Sequence, residues 1–258
     1  MSDTNSYVDI NAKTIDSWVE GGWVWGVPID DATFARAKQG DWNVLLTPTK
    51  PVPHDWFCPM PGAAILGLAS GGGQQMPVFA ALGAHCTVLD YSEKQLASEK
   101  VWAAKGGYAI DIVRADMTKP LPFADESFDL IFHPVANCYI EEVLPLWREC
   151  YRVLKKGGIL LAGLDNGMSF VFDEAFDVPG ANPTQKLPYN PLIDKELYAK
   201  SLAKGDGLQF SHTIEEQVDG QLRAGFILTH IFEDTEGFGR LHELNVPSYN
   251  ATRAVKPT

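Results

Sequence analysis

The stretch from Ala63 to Asp90 constrains this chain more than any other. Ala63-Ala64-Ile65-Leu66-Gly67-Leu68-Ala69 is a short, continuous apolar run, the pattern of a strand covered on both faces. Ser70-Gly71-Gly72-Gly73 then strips side chains from the point where the backbone must turn. Glycine there allows unusual φ/ψ and lets a ligand lie against the main chain. A helix is predicted over 74–82, with Pro77 tolerated in its first turn. The unpaired N–H groups at its start would face the glycine turn. Gly83 ends it, and residues 85–90 read as a second buried strand closing on a carboxylate. Asp90 stands about 20 residues past the glycines, the spacing at which an acid holds a ribose diol. A nucleoside-binding β-α-β unit is predicted.

The alternation continues. Ser92 with Gln95 makes a capping box for a helix to about residue 105, which Gly106-Gly107 ends. Strands are predicted over 108–114 and 128–132, the first running into Ala115-Asp116-Met117 and the second into His133 and a loop to Tyr139. Over 141–154, Val143, Leu146, Trp147, Cys150, Tyr151 and Leu154 fall on one helical stripe. Lys155-Lys156 suits the C-terminal end of that helix and Gly157-Gly158 stops it. A fifth strand follows at 159–164. Strands alternating with helices imply a parallel α/β sheet. Beyond it, prolines break residues 165–207 into loops, a short strand is predicted over 208–212, and Thr213 with Glu216 opens a helix to about 224. Further strands are expected at 226–232 and, at the sheet edge, 249–255.

The first 60 residues read differently. They carry five of the seven tryptophans, short helices near 15–20 and 31–39, and a proline-rich connector over 47–53. Such a segment suits a cap on the main domain or a lid over an organic substrate, because aromatic walls supply apolar area with polar handles. The expected division is 1–60 as cap or lid and 61–258 as the main domain, with a substrate-side insertion at about 165–207.

The Ser70–Gly73 turn, Asp90 and Asp116 fall at the C-terminal ends of three successive predicted strands, the edge where open α/β sheets bind ligands. The turn can take a zwitterionic tail, Asp90 two ribose hydroxyls, and Asp116 an exocyclic amine. The net charge of −12 argues against nucleic acid or an anionic membrane as partner. The start of the chain lacks the basic and apolar blocks of a secretion signal, so a cytoplasmic protein is expected. Cys58, Cys86, Cys138 and Cys150 form no Cys-x-x-Cys pair and His212, His230 and His242 no tight cluster, so no metal site is expected.

In these motifs the chain resembles the class I S-adenosylmethionine-dependent methyltransferases, of the methyltransferase-type-11-like group. The carrying residues are Ile65–Gly73, Val88-Leu89-Asp90-Tyr91-Ser92, Ala115-Asp116-Met117, the approach Leu121-Pro122-Phe123 to Ile131, and Tyr151–Gly158. The resemblance implies a Rossmann-like three-layer sandwich: a mostly parallel seven-stranded sheet with an antiparallel C-terminal strand, here with an N-terminal helical cap. It implies S-adenosyl-L-methionine as cofactor and S-adenosyl-L-homocysteine as product. It places Ala69, Ser70, Gly71 and Gly73 by the methionine part, Asp90 on the ribose, Tyr91, Asp116 and Met117 at the adenine, and His133 at the methionine end. Trp25, Asn137 and Tyr139 would face a small-molecule methyl acceptor, and no catalytic base is assigned. The family's usual acid two residues before the first motif glycine is here Gly67, and Ala69 replaces that glycine. Two other readings share the β-α-β start. A nucleotide-dependent oxidoreductase would need a Gly-x-Gly-x-x-Gly pattern, which Gln74-Gln75-Met76 interrupts. A non-catalytic S-adenosylmethionine-binding protein would follow if the Gly67 departure had weakened the site.

Overall fold

Alternation along each inner strand sends neighbouring residues to opposite faces of one sheet. Ile65, Val88, Leu130, Phe132 and Leu161 pack on one face; Leu66, Leu68, Leu89, Ile131, Leu160 and Leu164 pack on the other. The computed structural model, which describes residues 6–172 and 182–258, places these side chains on β1 (Ala64–Leu68), β2 (His85–Asp90), β4 (Phe128–His133) and β5 (Leu154–Asp165). With β3 (Ile110–Arg114), β6 (Ile227–Asp234) and β7 (Tyr249–Val255) they form a seven-stranded sheet in the order β3-β2-β1-β4-β5-β7-β6. β1 to β5 pair in parallel, and β7 runs antiparallel to both β5 and β6. This is the expected Rossmann-like, mostly parallel sheet with one reversed strand.

Helices cover both faces. α3 (Met76–Ala81) and α4 (Glu93–Gly106) connect the first three strands, and α5 (Leu144–Val153) precedes β5. Of the stripe expected over 141–154, Val143, Leu146, Trp147 and Cys150 are buried and Tyr151 is half-buried, while Leu154 already opens β5 and Val153 is the last buried residue of α5. Ser92 caps α4 by accepting the Gln95 N–H. α7 (Gly220–Ala224) follows a single π turn, Glu215–Asp219, entered through the Thr213–Glu216 capping box.

Three expectations are corrected. Residues 249–255 do not form the sheet edge: β7 lies inside the sheet, and β6, with Ile227 56% and Ile231 50% exposed, is the outer strand. Residues 208–212 form no strand; the Leu208 N–H donates to Asn11 Oδ1 of the N-terminal helix and the Phe210 N–H to the Cys138 carbonyl, so these backbone groups find partners outside the sheet. Within the proline-rich insertion Asp194 caps α6 (Lys195–Lys204), beyond the last proline; residues 173–181 of that insertion lie outside the described residues.

The N-terminal residues are fastened along the site edge of the sheet. α1 (Tyr7–Glu20) is set by a capping box of Ser6 and Asp9. Its Asn11, 4% exposed, donates to the carbonyls of Tyr139 and Leu208 at 3.0 and 2.8 Å. Asp16 accepts the Ser92 hydroxyl at 2.6 Å and the Lys94 N–H at 3.0 Å, at the start of α4. After α2 (Asp31–Lys38) the chain passes over the sheet, burying Val44, Leu46, Val52 and Trp56 in the core. Asp234, at the end of β6, fixes this passage by accepting the Thr47 hydroxyl and the Thr49 and Lys50 N–H groups, at 2.8, 2.8 and 3.0 Å.

Candidate active site

A cavity of about 660 Å³ opens at the C-terminal edge of the parallel strands, within the size range of small-molecule sites. Each strand end contributes: Ala69–Gly71 after β1, Asp90 and Tyr91 after β2, Asp116 and Met117 after β3, Pro134–Ala136 after β4, and Asp165 closing β5. Trp18, Trp23 and Trp25 wall it from the N-terminal side. Two residues come from the C-terminal strands of the sheet. Because β7 is antiparallel, its first residue, Tyr249, lies at this same edge, paired with both Asp165 and Asp234; Glu236 follows Asp234.

The glycine turn is held from beneath. The Gly71 N–H donates to Asp90 Oδ2 at 3.1 Å and the Gly73 N–H to Glu99 Oε1 at 2.7 Å. A Cβ on Gly71 would lie 2.6 Å from Gln95 Cβ, so the main chain itself forms the wall there. At Gly67, a Cβ would stand 2.8 Å from the Met76 thioether; the room of the family's acid is filled by a buried methionine. Ala69 takes φ +48°, the left-handed region that an L side chain enters at a cost of roughly 1–2 kcal/mol. The strain predicts that Ala69→Gly stabilises the protein by about 1 kcal/mol net of the glycine's extra unfolded-state entropy. Urea denaturation measures it; a stability loss of that size would contradict the strained turn.

Of the residues expected at the site, Ala69, Ser70, Gly71, Asp90, Tyr91, Asp116, Met117, Trp25 and Tyr139 line this one cavity. Gly73, His133 and Asn137 do not. His133 is fully buried at the end of β4, donating from Nδ1 to the Leu68 carbonyl at 2.8 Å and meeting Trp147 edge-on. Burial pushes its pKa down to about 4, so the ring is neutral, with its free Nε2 lone pair buried. Asn137 donates to Gln217 Oε1 at 2.7 Å, and Gln217 donates to the Asp165 carbonyl at 2.6 Å. It braces the site from behind. Sequence reading missed Gln95, Asp165, Glu236 and Tyr249 on the cavity wall. Only Asp165 carried a signal, an acid at the end of its strand like Asp90.

A protein-family model described as "Methyltransferase domain" matches residues 66–162, the span from β1 through most of β5. An uncharacterized methyltransferase of Bacillus subtilis (strain 168) is 44% identical over 98% of this chain and 99% of its own length. The chain belongs to the methyltransferase family. A ubiquinone/menaquinone biosynthesis C-methyltransferase of Cereibacter sphaeroides is 31% identical over 171 residues, covering 62% of this methyltransferase and 66% of that protein. The fold matches a solved S-adenosylmethionine dependent methyltransferase from Mesorhizobium loti with TM-score 0.64, at 24% identity over 78% of this chain and 94% of that one.

The methyltransferase's own residues fit the family's cofactor. Asp90, 9% exposed, already accepts the Gly71 and Ser92 N–H groups, one on each oxygen. A carboxylate offers about four lone-pair sites, so each oxygen can take one hydroxyl more. Burial raises its pKa despite the Ser92 and Gly71 N–H groups, and further donors would favour the charged form. Asp116 Oδ1 accepts the Thr118 N–H at 2.8 Å. Tyr91 is fixed by its hydroxyl donating to Asp9 at 2.9 Å and by the Arg114 guanidinium over its ring.

Glu99, beneath the turn, is fully buried, and burial first, with Asp90 adding, pushes its pKa from 4.5 to about 8. An unfolded Glu99 ionises above about 4.5 while the folded one stays protonated to about 8, so folding weakens as pH rises through that window. Glu99→Gln keeps an acceptor for Gly73 and removes this loss. The variant is expected to gain up to about 4 kcal/mol over the parent at pH 8 and nothing at pH 4. Parallel denaturant curves at the two pH values test the sign.

Proposed function

We propose that this methyltransferase binds S-adenosyl-L-methionine at the β1–β3 half of the cavity and methylates a small organic acceptor in the β4–β7 half. The observation that carries this reading is one continuous cavity joining the Gly71–Asp90–Asp116 end to the Asp165 end under tryptophan walls. In it, Ser70 and the Gly71 main chain receive the methionine part, with Ala69 beside them. Asp90 accepts the two ribose hydroxyls, Tyr91 and Met117 flank the adenine, and Asp116 accepts its exocyclic amine. Gly73 and His133 act from outside the wall, the first by bonding Glu99 and the second by fixing the end of β1 through Leu68.

The cofactor supplies a methyl group already activated on a sulfonium; the chain's task is to align an acceptor in line with the breaking bond and to exclude water. Trp25, Trp18 and Tyr139 serve that end as walls, and residues 1–60 as the lid that carries two of them. The rest, 61–258, is the methyltransferase domain, with the insertion at about 165–207 on the acceptor side. A small acceptor is favoured because, among the described residues, no Lys, Arg or His lines the cavity, whereas tracking a phosphate backbone requires cations. The quinone-biosynthesis relative named above points the same way. Incubation with methyl-labelled S-adenosylmethionine and a cell extract is expected to put label into small molecules. Label confined to protein or nucleic acid would overturn the small-acceptor reading.

A further inference from the structure

The far end of the cavity has a composition unlike a generic organic pocket. Asp165, Glu236 and Tyr249 close it and, with Gln209, form the partition to a second cavity of about 310 Å³. Asp165 is 8% exposed; Oδ1 accepts the Gly167 N–H at 2.6 Å and the Ser169 hydroxyl assists the same carboxyl. That fills about half of its accepting capacity, and Asp165 lines both cavities. Tyr249 donates to Glu236 Oε2 at 2.6 Å, which keeps the glutamate turned toward the partition. The same cavity carries clustered aromatic rings: Trp18 and Trp23 have ring centres 5.3 Å apart, and Trp18 and Tyr139 6.3 Å. The Tyr139 hydroxyl, at the same wall, makes no hydrogen bond among the described residues.

Carboxylates and aromatic rings lining one cavity, with no cationic side chain among the described lining residues, make a site for a positive charge. Asp90 and Asp116 belong to the other end: β2 and β5 are three strand spacings apart, about 14 Å. The Asp165 carboxyl is therefore not needed by the nucleoside part. Lys200 and Lys204 stand beyond the partition, in the smaller cavity, and set its charge apart from that of the larger one.

We infer that the methyl acceptor is a small cationic amine, held between the tryptophan wall and Asp165, with Asp165 receiving the proton that frees its nitrogen. The inference rests on the methyltransferase reading given above and narrows its acceptor. An ammonium nitrogen has no lone pair, so one N–H proton passes to the Asp165 carboxylate. The freed pair forms the N–C bond while the methyl carbon's bond to sulfur breaks, both electrons staying on sulfur. An ammonium and a sulfonium enter; a methylated ammonium, a thioether and a proton leave. Burial, opposed by the Gly167 N–H and reinforced by Glu236, pushes Asp165 to about 7, suited to taking and releasing a proton near neutrality.

The test is calorimetric binding to the protein saturated with S-adenosylhomocysteine, whose own affinity is measured first. The probes are ten aryl- and cycloalkyl-alkylamines, each with its matched alcohol, phenol and carboxylate. Binders are expected among the amines, at least tenfold tighter than their matched neutral and anionic partners. Asp165→Asn is expected to lower amine affinity tenfold or more with S-adenosylhomocysteine affinity unchanged, and Glu236→Gln to lower it less. Binding by alcohols, phenols or carboxylates instead, no binding by any amine, or unchanged amine affinity in Asp165→Asn overturns the inference. Failure to bind S-adenosylhomocysteine would overturn the methyltransferase reading itself, a separate result.

Discussion

Asp90→Ala is expected to weaken S-adenosylhomocysteine binding at least 100-fold. Two ribose hydroxyls donating to a charged acceptor are each worth about 1.5–3 kcal/mol, and about 2.7 kcal/mol already corresponds to 100-fold. The substitution also leaves the Gly71 and Ser92 N–H groups without their acceptor, loosening the turn against which the cofactor lies. Asp90→Asn separates the two effects. It retains one oxygen for a backbone N–H and the side chain's volume, but it carries no charge and offers a donor where a hydroxyl must also donate. Calorimetry on both variants, with circular dichroism to confirm folding, should give a large loss for each and the larger for alanine. Parent-like affinity in a folded Asp90→Asn protein would refute the ribose assignment.

Gly163→Ala is expected to cost about 3 kcal/mol or more of stability. A Cβ there would lie 2.0 Å from the Leu46 carbonyl oxygen and 3.1 Å from the Val135 nitrogen, both main-chain atoms. Neither can step aside at small cost. Leu46 is 2% exposed in the core, the next residue is tied to Asp234 through its hydroxyl, and Gly163 itself is paired with Ala251 of β7. The methyl group must therefore push the 45–48 passage off the sheet, and Leu45, Leu46, Thr47 and Pro48 all line the cavity. Chemical denaturation should show the loss, with weakened cofactor binding. A change below about 1 kcal/mol would mean that the N-terminal passage yields freely.

What could be read from residues alone follows from which forces are local. β1, β2, β4 and the 159–164 part of β5 announce themselves because strands covered on both faces must be apolar throughout; Lys155–Gly158, read as the end of the preceding helix, belong to β5 instead. Asp90 and Asp116 were legible for the same reason: the parallel topology brings the residue after each strand to one edge. The reversed strand was not. Periodicity identifies residues 249–255 as a strand but says nothing of its neighbours, so its place between β5 and β6, and with it the arrival of Tyr249 and Glu236 at the site, is a tertiary result.

His133 shows the opposite failure. The family resemblance put it at the methionine end of the cofactor, yet it is fully buried at the end of β4, where the Leu68 carbonyl fixes its tautomer. The Gly67 departure has a physical account that no single position could give. Met76, nine residues on, occupies the vacated space, and Glu99, from another helix, bonds the far end of the glycine turn. The fastening of α1 was equally hidden, since Asn11 and Asp16 find their partners more than 70 residues away.

The central claim is that the Ala69–Gly71 turn, Asp90 and Asp116 hold S-adenosylmethionine. Equilibrium titration of the unaltered protein with S-adenosylhomocysteine and, separately, with NAD addresses it most directly. Saturable one-to-one binding of S-adenosylhomocysteine, displaced by S-adenosylmethionine and not by NAD, is the predicted result. Absence of S-adenosylhomocysteine binding, or equal competition by NAD, would contradict it.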